Sequence, residues 1–238
     1  MSLRKLRKLT RILPYPGIRR ALRYGVAGAI EHSAFLAQRR YTAIIDAGAN
    51  KGQFALVARQ FNPGAPIEAF EPLDDQADVF EKVFAKDAGV TLHRCALGSV
   101  EGASEINVSS SPDSSSLLPI SELQTRHFPG TGRANSVKIT VKRLDQCLSA
   151  NALGGKPLLK IDVQGFELEL LKGATGLLPA IDTVYVECSF IELYEGQALA
   201  QEVIDFLRAQ GFVLKGIYNP CYDAKGVCIQ ADLAFNRD

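Results

Sequence analysis

The sequence predicts an α/β protein built around a mostly parallel sheet. From residue 41 onward, short apolar runs alternate with segments of helical periodicity, as expected for strands joined by crossover helices. The chain closes with two strand-like runs joined by a turn, which predicts an antiparallel hairpin at one edge of the sheet. At 238 residues, 47% of them apolar, the chain is long enough for one sizeable core.

In the first half of the predicted sheet, strands and helices alternate regularly. "YTAIID" is interpreted as the first strand, and "GQFALVARQF" as a helix whose apolar residues share one face. "APIEAFEP" predicts a second strand ended by Pro72, and the next helix starts near Asp74. "VTLHRCAL" predicts the third strand.

The second half completes a seven-stranded core, with helices expected on both faces. "SVKITVKRLDQCL" alternates apolar and polar residues, which indicates an additional half-buried strand and a short helix. The remaining predicted elements are strand four in "KPLLKIDV", a helix "GFELELLKGA" closed by Gly173, strand five in "IDTVYVEC", a helix in "QEVIDFLRAQGF", and the hairpin strands "VLKGIYNP" and "GVCIQADLAFN".

An insertion at residues 98–135 interrupts the alternation of predicted strands and helices. It is rich in Ser, Gly and Pro and centres on "NVSSSPDSSSLLPIS", a composition that disfavours a packed element. Long loops inside compact domains often bind ligands, so a lid or binding loop is expected, with a mobile connection as the alternative. The serine run 109–116 offers hydroxyl groups to a ligand, and Ser115 is one candidate contact.

The basic residues are concentrated at the N-terminus. The net charge is +1, but residues 1–40 carry ten Lys or Arg residues and one acidic residue, Glu31. We therefore predict two parts, a basic helical extension at 1–40 and one domain at 41–238. In "LRKLRKLTRIL", an apolar stripe along a basic helix indicates either a capping helix on the core or an element that binds an acceptor or an anionic membrane surface.

Composition also excludes several classes of protein. The nearly neutral chain lacks the charge of a nucleic-acid-binding protein, and its five cysteines lack the spacing of zinc or redox motifs. No apolar run is long enough for a membrane span, and arginines stand where a secretory signal would be apolar. A cytoplasmic location is expected, with the inner face of a membrane as an alternative. Oligomeric state is left open.

The stretch "IIDAGANKGQFA" (44–55) predicts the ligand site. In an open parallel sheet, ligands bind beyond the carboxyl ends of the strands, and Gly48 and Gly52 would let this loop turn tightly there. Asp46 would repel the pyrophosphate of NAD but suit a ligand with an ammonium and a sulfonium group, such as S-adenosylmethionine. Glu71, at the end of the second strand, suits ribose hydroxyls.

The third and fourth strand ends complete the predicted pocket. The small residues of "CALG" leave room for an adenine ring, and Asp162 shares a strand face with Lys160 at the end of the fourth strand. The candidate cofactor contacts are Asp46, Gly48, Ala49, Asn50, Gly52, Gln53, Glu71, Pro72, Ala96, Leu97, Ser115 and Asp162.

These motifs carry a family resemblance. "DAGANKGQFA", "FEP", "SSSLL", "KIDVQGFELELLKGA", "VECSFIELYEGQ" and "QADLAFN" together resemble the FkbM family of S-adenosylmethionine-dependent methyltransferases. The resemblance runs from about residue 41 to the C-terminus. It implies a Rossmann-like class I fold and O-methylation of hydroxyls on sugars, glycans, glycolipids or macrolides. It also implies cofactor contacts by Asp46, Gly48, Asn50, Gly52 and Glu71, with Asp162 facing the reaction cleft.

Methyl transfer to a hydroxyl benefits from a base within hydrogen-bond reach. Asp162 is the first candidate, followed by Glu187, His127 and Glu167, while His93 and His32 are assigned structural roles. Converging carboxylates would alternatively hold magnesium, which is not favoured. The alternative functions are methylation of a small non-sugar metabolite, or a binding module without turnover. A nucleic-acid methyltransferase is disfavoured because "DVQG" replaces the expected aromatic-polar motif.

Overall fold

The computed structural model describes residues 15–237. The strands are β1 (Ile44–Ala47), β2 (Ile67–Phe70), β3 (Val90–His93), β4 (Ala96–Leu97), β5 (Gly102–Ser109), β6 (Arg133–Lys142), β7 (Leu158–Ile161), β8 (Thr183–Ser189), β9 (Phe212–Tyr222) and β10 (Cys228–Arg237). The α-helices are α1 (Pro16–Ala21), α2 (Ser33–Leu36), α3 (Gln53–Phe61), α4 (Asp74–Phe84), α5 (Glu122–His127), α6 (Leu144–Cys147), α7 (Glu167–Lys172) and α8 (Ala200–Ala209).

Seven strands form the main sheet in the order β3-β2-β1-β7-β8-β10-β9. The strands from β3 to β8 pair in parallel, whereas β10 pairs antiparallel with both β8 and β9. This arrangement confirms the predicted Rossmann-like sheet with its antiparallel C-terminal hairpin. The strand order reverses between β1 and β7, the position where such sheets bind ligands.

Apolar side chains cover both faces of the sheet. One buried cluster packs α7 and α8 against the sheet, and includes Leu170, Leu171 and Leu207. The other contains Phe54 of α3 and Phe35 of α2. The apolar positions of these helices recur with helical periodicity, so each helix turns one face to the sheet.

A second, three-stranded sheet in the order β4-β6-β5 corrects two predictions. The predicted third strand "VTLHRCAL" divides, because β3 ends at His93 while β4 pairs with β6 in the smaller sheet. The insertion 98–135 is not all loop, since β5 and α5 lie within it. Ile106, Ile139 and Val141 are buried between these strands, which gives the small sheet its own apolar cluster.

The reason for glycine at position 173 also differs from the prediction. Gly173 follows α7 in a right-handed conformation, with φ of −76°, so it is not a left-handed helix cap. A Cβ atom at this position would lie 1.9 Å from the carbonyl oxygen of Gly98. Glycine is therefore needed because two backbone segments pass close together.

The described part of the N-terminal extension packs on the core. Ile18, Phe35 and Leu36 are buried, and the Phe35 ring stacks on Tyr185 with 3.9 Å between ring centroids. The predicted apolar stripe of Leu3, Leu6, Leu9 and Ile12 lies outside the described residues. None of the helices within residues 15–237 is long and apolar enough to cross a membrane.

Candidate active site

A cavity of about 480 Å³ opens at the carboxyl edge of the main sheet. Its lining comes from the loops that follow β1, β2 and β7, from residues 25–32, and from residues 112–117 of the insertion. This volume lies within the range of small-molecule sites. The cavity therefore occupies the predicted position, between the strands where the order reverses.

The loop after β1 is held tightly against its neighbours. The backbone N–H groups of Gly48 and Ala49 both donate to the carbonyl oxygen of Phe70, at 3.1 and 2.9 Å. Gly48 has φ of +76°, and a Cβ atom there would lie 1.8 Å from the carbonyl oxygen of Asp162. Only glycine fits this turn, so the loop brings the ends of β1, β2 and β7 together.

Gly52 turns the chain in a left-handed conformation, as predicted, but it does so beside a helix and not beside the cavity. Its φ is +89°, and a Cβ atom would lie 2.5 Å from the ring of Phe84 and 3.1 Å from that of Phe80. Gly52 does not line the cavity. Its missing side chain makes room for α4 against the start of α3, which fixes the helix that follows the loop.

Asp46 is also not a lining residue, contrary to the prediction that it faces the ligand. Its side chain is fully buried, and its Oδ1 atom lies 3.1 Å from Nζ of Lys160. The same ammonium donates to the carbonyl oxygen of Gly48 at 3.1 Å and lies 3.8 Å from Asp162 Oδ2. Burial lowers the pKa of Lys160, but Asp46 and Asp162 raise it more, so its pKa lies above the ordinary value.

Lys160 therefore stands between Asp46 and the cavity. The lysine lines the cavity and ties the β1 loop to its neighbouring strand. The expected electrostatic contact between Asp46 and a ligand is replaced by a buried ion pair beneath the loop.

Glu71 lies at the end of β2, on the cavity wall. Its two carboxylate oxygens accept hydrogen bonds from the backbone N–H groups of Asn50 and Leu73, each at 2.9 Å. Burial raises the pKa of Glu71 to about 7, although both backbone hydrogen bonds oppose this shift. Each oxygen retains a free lone pair, so the carboxylate can accept further hydrogen bonds from ligand hydroxyls.

Two amide oxygens at the cavity have no hydrogen-bond partner among the described residues. They are Oδ1 of Asn50 and Oε1 of Gln53, both buried. The Asn50 amide nitrogen donates to Asp113 Oδ1 at 2.6 Å, which orients its oxygen away from the insertion. Buried acceptors without partners are costly, so a ligand with hydroxyl or ammonium donors would satisfy them.

A network of side chains joins the acidic residues on the other side of the cavity. Gln164 adopts a left-handed conformation, with φ of +55°, and its amide donates to Asp162 at 2.6 Å and to Glu187 at 3.2 Å. Tyr194 donates to the Gln164 oxygen at 2.7 Å, and Gln230 donates to Glu187 at 2.6 Å. An unusual backbone conformation is thus stabilised by side chains from several elements.

The buried acids behind this network favour the protonated form. Burial raises the pKa of Glu187 well above its ordinary value, and the nearby Asp162 and Asp232 add to the shift. Burial likewise raises the pKa of Glu167 to about 7, although it accepts backbone hydrogen bonds from Val163 and Gly165. Neither Glu167 nor Glu187 lines the cavity.

Residues 112–117 of the insertion form the cover of the cavity. Ser116 donates to the carbonyl oxygen of Gln164, and the Tyr194 hydroxyl, which donates to the Gln164 side chain, lies 3.2 Å from the carbonyl oxygen of Ser114. With the Asn50 contact to Asp113, these bonds tie the cover to both sides of the cavity. Ser115, the serine singled out from the sequence, is one of the lining residues.

The remaining wall comes from the N-terminal segment. Residues 25–27, Ala29, Glu31 and His32 line the cavity. The sequence assigned His32 a structural role, because no motif surrounds it. Its position depends on packing against Phe54 and Tyr185, whose rings it meets in T-shaped contacts with 5.3 and 5.6 Å between ring centroids.

The structure brings most predicted site residues to one cavity. Those that line it are Gly48, Ala49, Asn50, Gln53, Glu71, Pro72, Ala96, Leu97, Ser115 and Asp162. Those outside the lining are Asp46, Gly52, Glu187 and His127, which ends α5. The lining residues Lys160, Gln164 and His32 had no predicted contact with a ligand.

A metal site is the remaining alternative from the sequence. Within residues 15–237, no group of three or more His, Cys, Asp or Glu side chains is arranged to hold a metal ion. The Gln164 amide lies between the two carboxylates, Asp162 and Glu187, that were candidates for magnesium.

Comparisons with known proteins place the chain among methyltransferases of one family. A methyltransferase FkbM domain matches residues 46–214. Methyltransferase sdnD from Sordaria araneosa is 31% identical over 195 residues, covering 71% of this chain and 73% of that protein. The 2-O-methyltransferase NoeI from Sinorhizobium fredii is 27% identical, covering 69% and 70%. The 31-O-demethyl-FK506 methyltransferase FkbM from Streptomyces tacrolimicus is 23% identical, covering 75% of each.

Proposed function

Because the chain belongs to the methyltransferase FkbM family and is a methyltransferase, we propose that it transfers the methyl group of S-adenosylmethionine to a hydroxyl oxygen. The observation that carries this proposal is the buried carboxylate of Glu71, which faces the cavity beside the unpartnered oxygens of Asn50 and Gln53. Such acceptors match the hydroxyl and ammonium donors of this cofactor.

Different cavity residues would bind different parts of the cofactor. Glu71 would accept hydrogen bonds from the ribose hydroxyls, and Ala96 and Leu97 leave space for the adenine ring. One oxygen of Asp162 accepts a hydrogen bond from Gln164, and the other lies near Lys160. The carboxylate would therefore bind and orient a ligand group that donates hydrogen bonds at the centre of the cavity. The bound cofactor would supply an activated methyl group on a positively charged sulfur.

The acceptor is proposed to be a hydroxyl on a sugar, glycan, glycolipid or glycosylated natural product. Two relatives are named for O-methylation, and the polar side chains of Asp113, Glu31 and Gln164 suit an acceptor with several hydroxyls. A small non-sugar hydroxyl compound is the second candidate, favoured by the cover at residues 112–117, which limits the open side of the cavity.

The division at residue 40 and the location of the protein stay predictions. We propose a cytoplasmic enzyme whose N-terminal extension contacts an anionic membrane surface. Leu22 and Tyr24 are 38% and 43% exposed beside the basic residues Arg20 and Arg23, next to the cavity wall at Gly25. Sedimentation with phosphatidylserine vesicles tests this: binding that falls with salt supports it, and equal binding to neutral phosphatidylcholine vesicles contradicts it.

Calorimetric titration tests the proposed cofactor. At pH 8, above the pKa of Glu71, S-adenosylmethionine should bind the wild type, and Glu71→Gln should bind it about tenfold more weakly, because an ionised hydrogen-bond acceptor is lost. Glu81→Gln is the matched control, since Glu81 pairs with Arg94 on the surface. Failure of folded protein to bind S-adenosylmethionine, or binding of NAD instead, would contradict the proposal.

A further inference from the structure

His32 lies at the end of a hydrogen-bonded chain that starts at a buried carboxylate. Its Nδ1 atom is 3.0 Å from the Tyr185 hydroxyl, and that hydroxyl donates to Oδ2 of Asp232 at 3.0 Å. Asp232 is only 8% exposed and also accepts a hydrogen bond from the Asn219 amide at 2.7 Å. Two donors therefore hold the Asp232 carboxylate in place beneath the histidine.

This chain determines which ring nitrogen carries the proton. Tyr185 has one hydroxyl proton and gives it to Asp232, so the nitrogen facing the Tyr185 oxygen must supply its own. His32 is then protonated on Nδ1, although the Asn219 amide, 3.3 Å from Nδ1, could compete for this position. Nε2 makes no hydrogen bond to residues 15–237, and His32 lines the cavity.

We propose that Nε2 of His32 accepts the proton of the acceptor hydroxyl during methyl transfer, with Tyr185 and Asp232 as positioning residues. This inference rests on the proposed O-methylation. The hydroxyl oxygen forms a bond to the methyl carbon, and the carbon–sulfur bond breaks with its electron pair going to sulfur. The hydroxyl proton passes to Nε2, which leaves a methyl ether, a thioether and an imidazolium ion.

The electrostatics of the site suit this transfer. One positive charge leaves sulfur and one appears on the imidazole, so the net charge of the cavity is unchanged. Asp232, whose Oδ2 atom lies 3.5 Å from Nδ1 of His32, stabilises the imidazolium directly and through Tyr185, as a carboxylate does in other histidine relays. Burial lowers the pKa of His32 despite Asp232, so the ring starts neutral; the other charged groups that act on it are Lys160, Glu31 and Asp162.

None of the acids expected from the sequence to serve as the base fits as well. Glu187 and Glu167 do not line the cavity. Asp162 does, but one of its oxygens accepts from Gln164 and the other lies 3.8 Å from the Lys160 ammonium. Both of its oxygens therefore already face polar neighbours, whereas Nε2 of His32 makes no hydrogen bond to residues 15–237.

Nuclear magnetic resonance of the histidine rings tests the assignment directly. The full chain is labelled with ¹⁵N-histidine, and the His32 signals are assigned with His32→Asn. At pH 7.5, with and without S-adenosylhomocysteine, we expect a neutral ring protonated on Nδ1, and Tyr185→Phe should shift the proton toward Nε2. A wild-type ring that is charged, or protonated on Nε2, overturns the proposal. His93 and His127 serve as references in the same spectra.

Kinetics provides the second test. With S-adenosylmethionine and a panel of phenyl glycosides, His32→Asn should lower kcat about 10²-fold or more while the Kd for S-adenosylhomocysteine stays within threefold. The asparagine amide can retain the contact to Tyr185, so folding is expected to survive. An unchanged kcat overturns the proposal. If no glycoside is methylated, the proposed acceptor class is contradicted, and the ring measurement alone decides the role of His32.

Discussion

The two sides of the cavity are built in different ways. The side that follows β1 and β2 comes from one continuous stretch, residues 44–73, and depends on backbone groups fixed by Gly48. The opposite side assembles His32, Gln164 and Asp232 from distant parts of the chain through hydrogen bonds between side chains. We therefore expect the first side to tolerate few substitutions, whereas the second side can lose one side-chain hydrogen bond and retain the others.

The largest expected effect breaks the backbone-built side. Gly48→Ala places a methyl group against the Asp162 carbonyl oxygen in a left-handed conformation, so unfolding free energy should fall by about 4 kcal/mol or more. Urea denaturation measures this change. Gly64→Ala is the control, because nothing lies within 4 Å of its added Cβ, and it should change stability by less than about 0.5 kcal/mol. Equal effects at both positions would contradict the comparison.

A second prediction concerns the ion pair that joins the two sides. Lys160→Met leaves the carboxylate of Asp46 buried without its partner, which should lower the unfolding free energy by about 3 kcal/mol. Lys172→Met removes an exposed ion pair with Glu169 and should cost less than about 1 kcal/mol. Chemical denaturation of both variants at pH 7 provides the test. A Lys160 variant no weaker than the Lys172 variant would show that Asp46 does not depend on this ammonium.

The pH dependence of stability sharpens the comparison further. Glu71 titrates near pH 7 in the folded protein but near its ordinary pKa of 4.5 when unfolded. Between these values the folded state binds more protons, so stability should fall as pH rises, by about 2.5 kcal/mol between pH 5 and pH 8 for this group. Thermal denaturation from pH 5 to 8 should show a shallower fall in Glu71→Gln and an unchanged one in Glu81→Gln. A Glu71→Gln profile that matches the wild type would contradict the assignment.

The smallest effect is expected on the side built from side chains. Tyr194→Phe removes the hydrogen bond to Gln164 and the neighbouring contact to the Ser114 carbonyl oxygen, which should cost about 1 kcal/mol of unfolding free energy. Tyr222→Phe is the control, because this ring is 58% exposed. Urea denaturation distinguishes the two. A loss above about 3 kcal/mol in Tyr194→Phe would show that this side is as sensitive as the backbone-built one.

The difference between the two sides of the cavity also explains which features could be predicted from the sequence. The main sheet and the loop at Gly48 depend on local periodicity and on a single turn, so both were predicted correctly in position. The division of the third strand at His93 was missed, because β4 pairs with β6, about 45 residues farther along the chain. The sequence placed Asp46 against the ligand because a strand pattern does not show that Lys160 of the neighbouring strand covers it.

His32 was missed for a related reason. No local pattern marks it, and its position depends on Tyr185 and Asp232, which lie on strands at the other end of the chain. Gln164 was visible in "DVQG", but its link between Asp162 and Glu187 requires a left-handed backbone that neither periodicity nor composition predicts. Long-range side-chain networks are therefore the part of such a site that can be identified only from a structure.

The wall formed by residues 25–32 lies before the first residue of the matched family domain at 46. A wall supplied by one continuous segment that precedes the matched domain can be exchanged between related genes in a single recombination event, while every strand of the sheet stays unaltered. Substrate range can then diversify over evolutionary time independently of the methyl donor. Chimaeric enzymes joined near residue 40 would offer a practical route to the same diversification in the laboratory, provided that each exchanged segment keeps a histidine at position 32 and the buried side chains of Phe35 and Leu36.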